Sequence, residues 1–379
     1  MARTGSSARG RVSKMKSDRY DVVVVGAGLC GLTAAAAAAH QKMKVALVAT
    51  GPGSFVTGSG WLTAQDVQRA SSAPDLSEAL AFFCELARRA GSPYAGDITS
   101  AKFLPTLLGD FQSVALAPLL LWNGEPRDDV STAVIGVLGL SGFDESFMAE
   151  RLSEQARAIG SSGTYTARQI SFSHSIGTPV TTLRIAQLFD RDSDFRKELV
   201  CALRAAASGF QRIFVPGMLG LDSSEGQIAE FKSELGCAIS EISTLPPSIP
   251  GLRVFHRFER YLQKIGVELF RGFPIDEVVI RDGVCAGMRI ATPGHAMNLR
   301  GLCAVLATGR HSPSPLGLAC AGRDHEMRPL DSTGALIARN LFIAGPQPHS
   351  ASDKSDAMRI LTGYRAGNLA ASTRGNHAS

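Results

Sequence analysis

Three glycines, Gly26, Gly28 and Gly31, stand at the spacing GxGxxG, and they are the residues whose type and placement point most directly to chemistry. In such a turn the first glycine lets the chain leave a strand. The second removes a side chain where a phosphate approaches, and the third lets a helix close on the sheet. Ala27 lies in the same turn. The flanking residues are the required ones: Asp21 to Val25 reads DVVVV, a β-branched strand, and Thr33 to Ala39 is alanine-rich and helical. A helix start offers unpaired N–H groups and a positive dipole end, so a nucleotide or flavin phosphate is expected there.

Further candidates follow the same logic of glycine-bearing strand ends. Val45 to Val48 is a second strand, and a dinucleotide site needs an acid near its end to hold the adenosine ribose. The sequence has Ala49, Thr50 and Gly51 there. FMN has no such ribose and needs no acid, whereas FAD or NAD must use Thr50, backbone groups or an acid from elsewhere. Ser59, in the small-residue loop Thr57 to Gly60, can offer a polar contact. Late in the chain GLCAVLATG ends in Thr308 and Gly309, and LFIAG ends in Gly345. Arg253, Arg310 and His311 are candidates for a substrate phosphate or the flavin O2 edge. His174 sits in a loop and receives no role, and no general base is identified.

Composition narrows the class. At 379 residues the chain exceeds the roughly 250–300 residues at which single cores stop growing, so two domains are expected. With 45% hydrophobic and 19% charged residues the chain reads as soluble and globular. The apolar run Val114 to Trp122 contains Pro118 and is too short for a membrane span. The net charge of +5 is carried by residues 1–19, with six basic groups and one acid, leaving 33 basic and 33 acidic groups in the rest. That segment lacks the apolar core of a signal peptide and is expected to be a flexible tail. Seven scattered cysteines without CxxC argue against a disulfide framework, an iron–sulfur cluster or a metal site. The expected compartment is the cytoplasm.

The elements that position these residues alternate. A helix is expected from Asp75 to Ala90 and a linker from Asn123 to Asp129. Then come strand Ala133 to Leu140, helix Asp144 to Ala158, strand Arg212 to Val215, helix Glu225 to Leu235 and strand Ala238 to Ile242, a second parallel α/β unit. Leu252, Phe255, Phe258 and Leu262 line one helix face, with Arg257, Arg260 and Lys264 on an expected solvated face. A strand Val267 to Phe270, a hairpin turning at Arg281 to Gly283, and a closing helix at 364–371 complete the chain. The fold class expected is α/β: a Rossmann-like flavin-binding domain, interrupted by an inserted second α/β domain. The boundaries are a tail at 1–19, the flavin-binding domain at 20–130 and 266–372, the insertion at 131–265, and a tail at 373–379. The loops Ser141-Gly142 and Thr244 to Ser248 fall at carboxyl ends of the inserted strands and are expected to floor a substrate cleft.

The order GxGxxG, hairpin, Ala307-Thr308-Gly309 and a last strand ending at Gly345 resembles the two-domain flavin oxidoreductases. More narrowly, Thr244-Leu-Pro-Pro-Ser248 with Gly251-Leu252-Arg253, Val137 to Phe143, Pro216 to Asp222 and Thr57 to Gly60 resemble the B subunit of the anaerobic glycerol-3-phosphate dehydrogenase complex. The resemblance implies a flavin-carrying subunit, usually with FMN and alternatively FAD. Its implied partners are the FAD-containing catalytic A subunit of that complex, together with an iron–sulfur C subunit that reaches the membrane, so membrane contact would be indirect. The implied reaction is sn-glycerol 3-phosphate to dihydroxyacetone phosphate, with electrons passed to quinone. Three features depart from the family: Ala357 to Leu361 replaces a glycine-rich turn, the segment from Gly309 to Leu341 is short, and Pro346 stands where an Asp is common. Two other readings stay open: an architectural subunit that has lost its flavin, and a free-standing FAD- or NAD-dependent oxidoreductase of another small acid.

Overall fold

The computed structural model describes residues 19–292, 295–309, 320–345 and 355–373. The β-branched opening stretch forms the strand Arg19–Val25 at the centre of a seven-stranded sheet. Val45–Ala49 and the second half of His295–Leu306 flank it in parallel, with Glu268–Arg271 and Leu341–Ile343 outside them. The first half of His295–Leu306 turns antiparallel against Val284–Thr292, which pairs in turn with Ile275–Arg281. The α/β, Rossmann-like arrangement is therefore present. Arg19, counted with the basic tail in the sequence, is the first residue of the opening strand.

A second, four-stranded sheet is wholly parallel, in the order Ala238–Ile242, Arg212–Pro216, Ser131–Val137, Thr164–Ile170. It has its own core, with Ile135, Phe189, Phe195 and Phe214 completely buried. A small antiparallel sheet around Phe111–Pro118 collects Leu62–Thr63, Tyr94–Gly96 and Lys102–Pro105. Its short, irregular strands carry little alternation, and the sequence did not announce them.

Helix Ile249–Lys264 lies within 131–265, yet Val254, Phe255, Phe258 and Leu262 contribute to the core beneath the opening helix. Its basic face is not uniformly solvated as expected. Arg257 is buried and donates to the carbonyls of Gly91 and Ser223. Burial, aided by Arg253, pushes its guanidinium down to about 10.

The closing helix corrects another expectation. It runs Asp356–Ser372, beginning eight residues before 364, so Ala357 to Leu361, where the family resemblance places a glycine-rich turn, is helical. Ser355 caps it by accepting the Met358 N–H. Gly363 and Gly367 are where this helix meets the opening helix Leu29–His40. A Cβ on Gly363 would lie 2.3 Å from the Cys30 carbonyl oxygen, and one on Gly367 would lie 2.4 Å from that of Ala34. The alanines Ala34 to Ala38 of the opening helix, all buried, supply the matching low surface.

Gly367→Ala is accordingly expected to lower stability by about 1–3 kcal/mol through overpacking, read from urea unfolding. Gly226→Ala, on an exposed helix position where a new Cβ meets only Ser224 Oγ at 3.8 Å, should be neutral or stabilise by up to ~1 kcal/mol. Equal effects at the two sites would refute the close-contact account.

Candidate functional site

The phosphate cradle forms where parallel strands end level with one another. Val25 is in register with Val48 on one side and Leu306 on the other, and Leu306 with Ile343. Beyond them Gly26 N–H donates to Val48 O at 2.7 Å and Ala307 N–H to Val25 O at 2.8 Å. Gly26 has φ +102°, and a Cβ there would sit 2.3 Å from the Ala307 carbonyl oxygen. A Cβ on Gly31 would sit 1.7 Å from the Gly26 carbonyl oxygen. These two glycines let backbone lie on backbone.

Gly28 is different. It is the N-cap of the opening helix, it has extended backbone, and no side chain caps the helix start. A Cβ there would meet nothing within 4 Å. The open space above Gly28, an uncapped helix N-terminus and the absence of an acid from its first turn fit an anionic phosphate of a flavin nucleotide. The loop after the second strand closes toward it, for a Cβ on Gly53 would lie 3.4 Å from Gly28 Cα.

The structure brings several predicted residues to this edge. Ala27 is buried in the turn, Thr308 is half-buried and Gly309 exposed directly after Ala307. Gly345 is buried, with its N–H donating to Thr362 Oγ1 at 3.0 Å, and a Cβ there would be 3.3 Å from Cys30 Sγ. Thr50 and Gly51 are exposed beyond the second strand. Beside Ala49 the next strand presents Arg271, held by Glu259 at 2.9 Å. Ser59 accepts the Trp61 N–H at 3.5 Å, and its loop is clamped by helix Ile249–Lys264: Ser248 N–H donates to Val56 O, and Gly251 packs on the Phe55 and Gly58 carbonyls. Arg310 and His311 lie outside the described residues.

Two participants were not anticipated. Arg323 donates to the carbonyls of Ile343 and Gly345 at 3.1 and 3.0 Å, fixing the end of the last strand. Thr362, from the closing helix, receives the Gly345 N–H and lies 3.8 Å from Cys30 Sγ. Burial pushes the Cys30 thiol up to about 11, so it is an uncharged packing group and not a nucleophile. Nothing in the spacing of Arg323 marked it out.

Arg253 is not at the cradle. It is buried, with both terminal nitrogens on Glu241 at 2.7 and 2.9 Å and its Nε on the Gly220 carbonyl. Burial alone would raise the Glu241 carboxyl, but Arg253 and the N–H groups of Met218 and Leu219 hold it below its ordinary value. This arginine is buried and its charge is answered by Glu241, so it does not stand ready for a substrate phosphate.

The two loops expected to floor a cleft do meet. Gly142 packs on Leu245, and both line a cavity of about 680 Å³ at the carboxyl end of Ser131–Val137. Its walls are mainly apolar, including Leu108, Phe143 and Phe147, and its charged members are Asp144 and Glu145 with no cation. That is the wrong chemistry for a phosphate ester and suits an apolar contact.

Comparison with known proteins agrees with the cradle. A model of the FAD binding domain matches residues 21–89. The B subunit of anaerobic glycerol-3-phosphate dehydrogenase from Pectobacterium carotovorum is 30% identical, covering 77% of this chain and 75% of that one. Its probable counterpart from Halobacterium salinarum is 25% identical, covering 93% and 97%. A solved 3-ketosteroid Δ1-dehydrogenase from Sterolibacterium denitrificans aligns over 80% of this chain and 52% of that one, at 13% identity with a TM-score of 0.36, too low to bear on the argument.

Gly28→Val should fold with an unchanged melting temperature, since its side chain enters open space, yet retain less than about a tenth of the wild-type flavin after purification, read from visible absorbance. Gly31→Val should instead fail to fold. Flavin retention by Gly28→Val would place the phosphate elsewhere. For the buried pair, Glu241→Ala is expected to cost about 3–5 kcal/mol by stranding Arg253, and Glu241→Leu with Arg253→Met to recover most of it. Because the folded-state Glu241 value is depressed, its contribution is complete above the ordinary value of about 4.3 and is lost as pH falls through the folded value. Acid unfolding below about pH 4 should therefore be steeper in the wild type than in the double variant.

Proposed function

Because the chain belongs to the family of the B subunit of anaerobic glycerol-3-phosphate dehydrogenase, we propose that it is the flavin-carrying subunit of a complex of that type. The observation that supports this best is the cradle itself: Gly26 and Gly31 with no room for a side chain, and Gly28 open at an uncapped helix start. A bound flavin supplies hydride or electron transfer. The chain's own part is to hold the phosphate at the N–H groups after Gly28, to fix the strand ends through Thr362 and Arg323, and to keep Cys30 a neutral thiol.

FAD is favoured over the FMN that the missing ribose carboxylate suggested, because the family match is to an FAD binding domain. Thr50 and the Arg271–Glu259 pair stand where an adenosine ribose would need polar partners. The overall reaction proposed is oxidation of sn-glycerol 3-phosphate to dihydroxyacetone phosphate, shared with a catalytic partner that carries FAD and an iron–sulfur partner that passes electrons to quinone. Among the described residues no helix is long and apolar enough to cross a membrane. The apolar, cation-free cavity of the inserted sheet supports an interaction role there over substrate binding. The second reading is a flavin-free architectural subunit, favoured by the absence of a glycine-rich turn at Ala357 to Leu361, which form the start of the closing helix.

Purified protein, denatured and analysed by chromatography, should release FAD. Release of FMN alone would reverse the choice of flavin, and a colourless protein that neither flavin reconstitutes would overturn the flavin role. Coexpressed with the two partners, it should support quinone-analogue reduction by glycerol 3-phosphate. Turnover of a different small acid by the isolated chain would favour a free-standing oxidoreductase instead.

A further inference from the structure

A cleft of about 260 Å³ at the seam between the main and inserted sheets combines apolar walls with cations, and it shares no lining residue with the cradle. One wall is the helix Glu225–Leu235, where Glu225, Ile228, Ala229 and Lys232 recur at i, i+3, i+4 and i+7 and so share a face. The second is helix Ile249–Lys264, with Arg253 and Arg257 one turn apart. Pro93 and the segment Pro118 to Leu120 make the third, joined where the Leu119 N–H donates to the Pro93 carbonyl at 3.1 Å.

The charges on this cleft are not balanced from within. Arg253 is matched by Glu241. Arg257 is buried and donates only to the carbonyls of Gly91 and Ser223, with no ion pair among the described residues. Lys232 is half-buried, and its ammonium makes neither a hydrogen bond nor an ion pair with a described residue. Burial holds that ammonium below its ordinary value, against the pull of Glu241. The one acid on the cleft wall, Glu225, is exposed. Glu225 offsets one of the two unmatched cations at most, so the cleft keeps a single positive charge beside apolar surface. Desolvated cations without a counter-charge are costly, and an anion entering the cleft relieves that cost.

We propose that the cleft binds a small monocarboxylate with an apolar body, its carboxylate meeting the Lys232 ammonium in the field of Arg257 and its body lying against Pro93, Pro118, Leu119 and Ile228. A single net positive charge matches a monoanion. A phosphate monoester carries close to two negative charges at neutral pH and is held by backbone N–H groups or guanidinium forks, and the prolines and leucines here supply neither. The volume lies below the range of roughly 300–1,000 Å³ that accepts drug-sized ligands, which sets the ligand at about ten non-hydrogen atoms. Such a ligand touches a helix of the inserted sheet and a helix packed in the main core at once, so its binding stabilises the seam. The proposal stands apart from the flavin reading, because no cradle residue takes part in it.

The test is calorimetric titration of the full-length protein with octanoate at neutral pH, with octanamide as the uncharged control and acetate as the control without an apolar body. Octanoate is expected to bind with a Kd below about 1 mM and to raise the melting temperature, and both controls to bind at least tenfold more weakly. Lys232→Met, which keeps the apolar stem and removes the charge, should weaken octanoate binding at least tenfold. Lys197→Met, which removes an exposed lysine charge elsewhere, should leave it unchanged. A second variant, Leu119→Asp, changes a residue that is 43% exposed on the opposite wall, so it tests the same cleft without disturbing the helices, and it too should weaken binding at least tenfold. Three results would overturn the proposal: no heat with octanoate, equal affinity for octanamide, or full binding by both cleft variants. Displacement of octanoate by an equal concentration of glycerol 3-phosphate would also overturn it, by making the cleft a phosphate site. A colourless preparation counts against the flavin reading alone, since the titration reads the cleft with or without flavin.

Discussion

The rest of the structure depends on backbone-to-backbone contact around the opening helix. On one side Gly31 rests against the carbonyl of Gly26, which itself rests against Ala307. On the other side Gly363 and Gly367 rest against the carbonyls of Cys30 and Ala34. The helix is thus pinned between the sheet's carboxyl edge and the closing helix with no side chain as spacer. Packing at interior density tolerates no methyl group at such points. That fixed position is what leaves an uncapped, positively polarised helix start facing open space at Gly28.

A second constraint joins the main sheet to the inserted parallel sheet. Glu241 belongs to a strand of the inserted sheet, while Arg253 sits on a helix whose apolar face is buried in the core of the main sheet. Their ion pair is almost wholly out of water. Desolvation makes such a pair costly unless further hydrogen bonds support it, and here the backbone N–H groups of Met218 and Leu219 and the Gly220 carbonyl supply them. Arg257 acts beside it on the Gly91 and Ser223 carbonyls. The seam between the sheets is therefore held by directional contacts, which fix orientation as well as proximity.

These constraints divide the molecule by chemistry. One edge of the main sheet offers N–H groups to a phosphate, and the seam offers cations beside apolar walls. The inserted sheet offers an apolar cavity flanked by carboxylates.

The sequence by itself determined the cradle, because GxGxxG between a β-branched strand and an alanine helix has one physical solution, and every role it requires is local. It likewise announced the alternation of the inserted sheet and the hairpin. It was silent on Thr164–Ile170, an edge strand whose residues are largely polar, and the regular spacing of Phe195, Leu199 and Leu203 on the buried face of a helix went unread though it was legible. Only the tertiary structure decided where Arg253 and Arg323 go, since a guanidinium on a long side chain finds its partner through contacts distant in sequence. It also decided that the closing helix starts at Asp356 and takes in Gly363, because the cost of glycine there is offset by a close approach that exists only once the opening helix is in place.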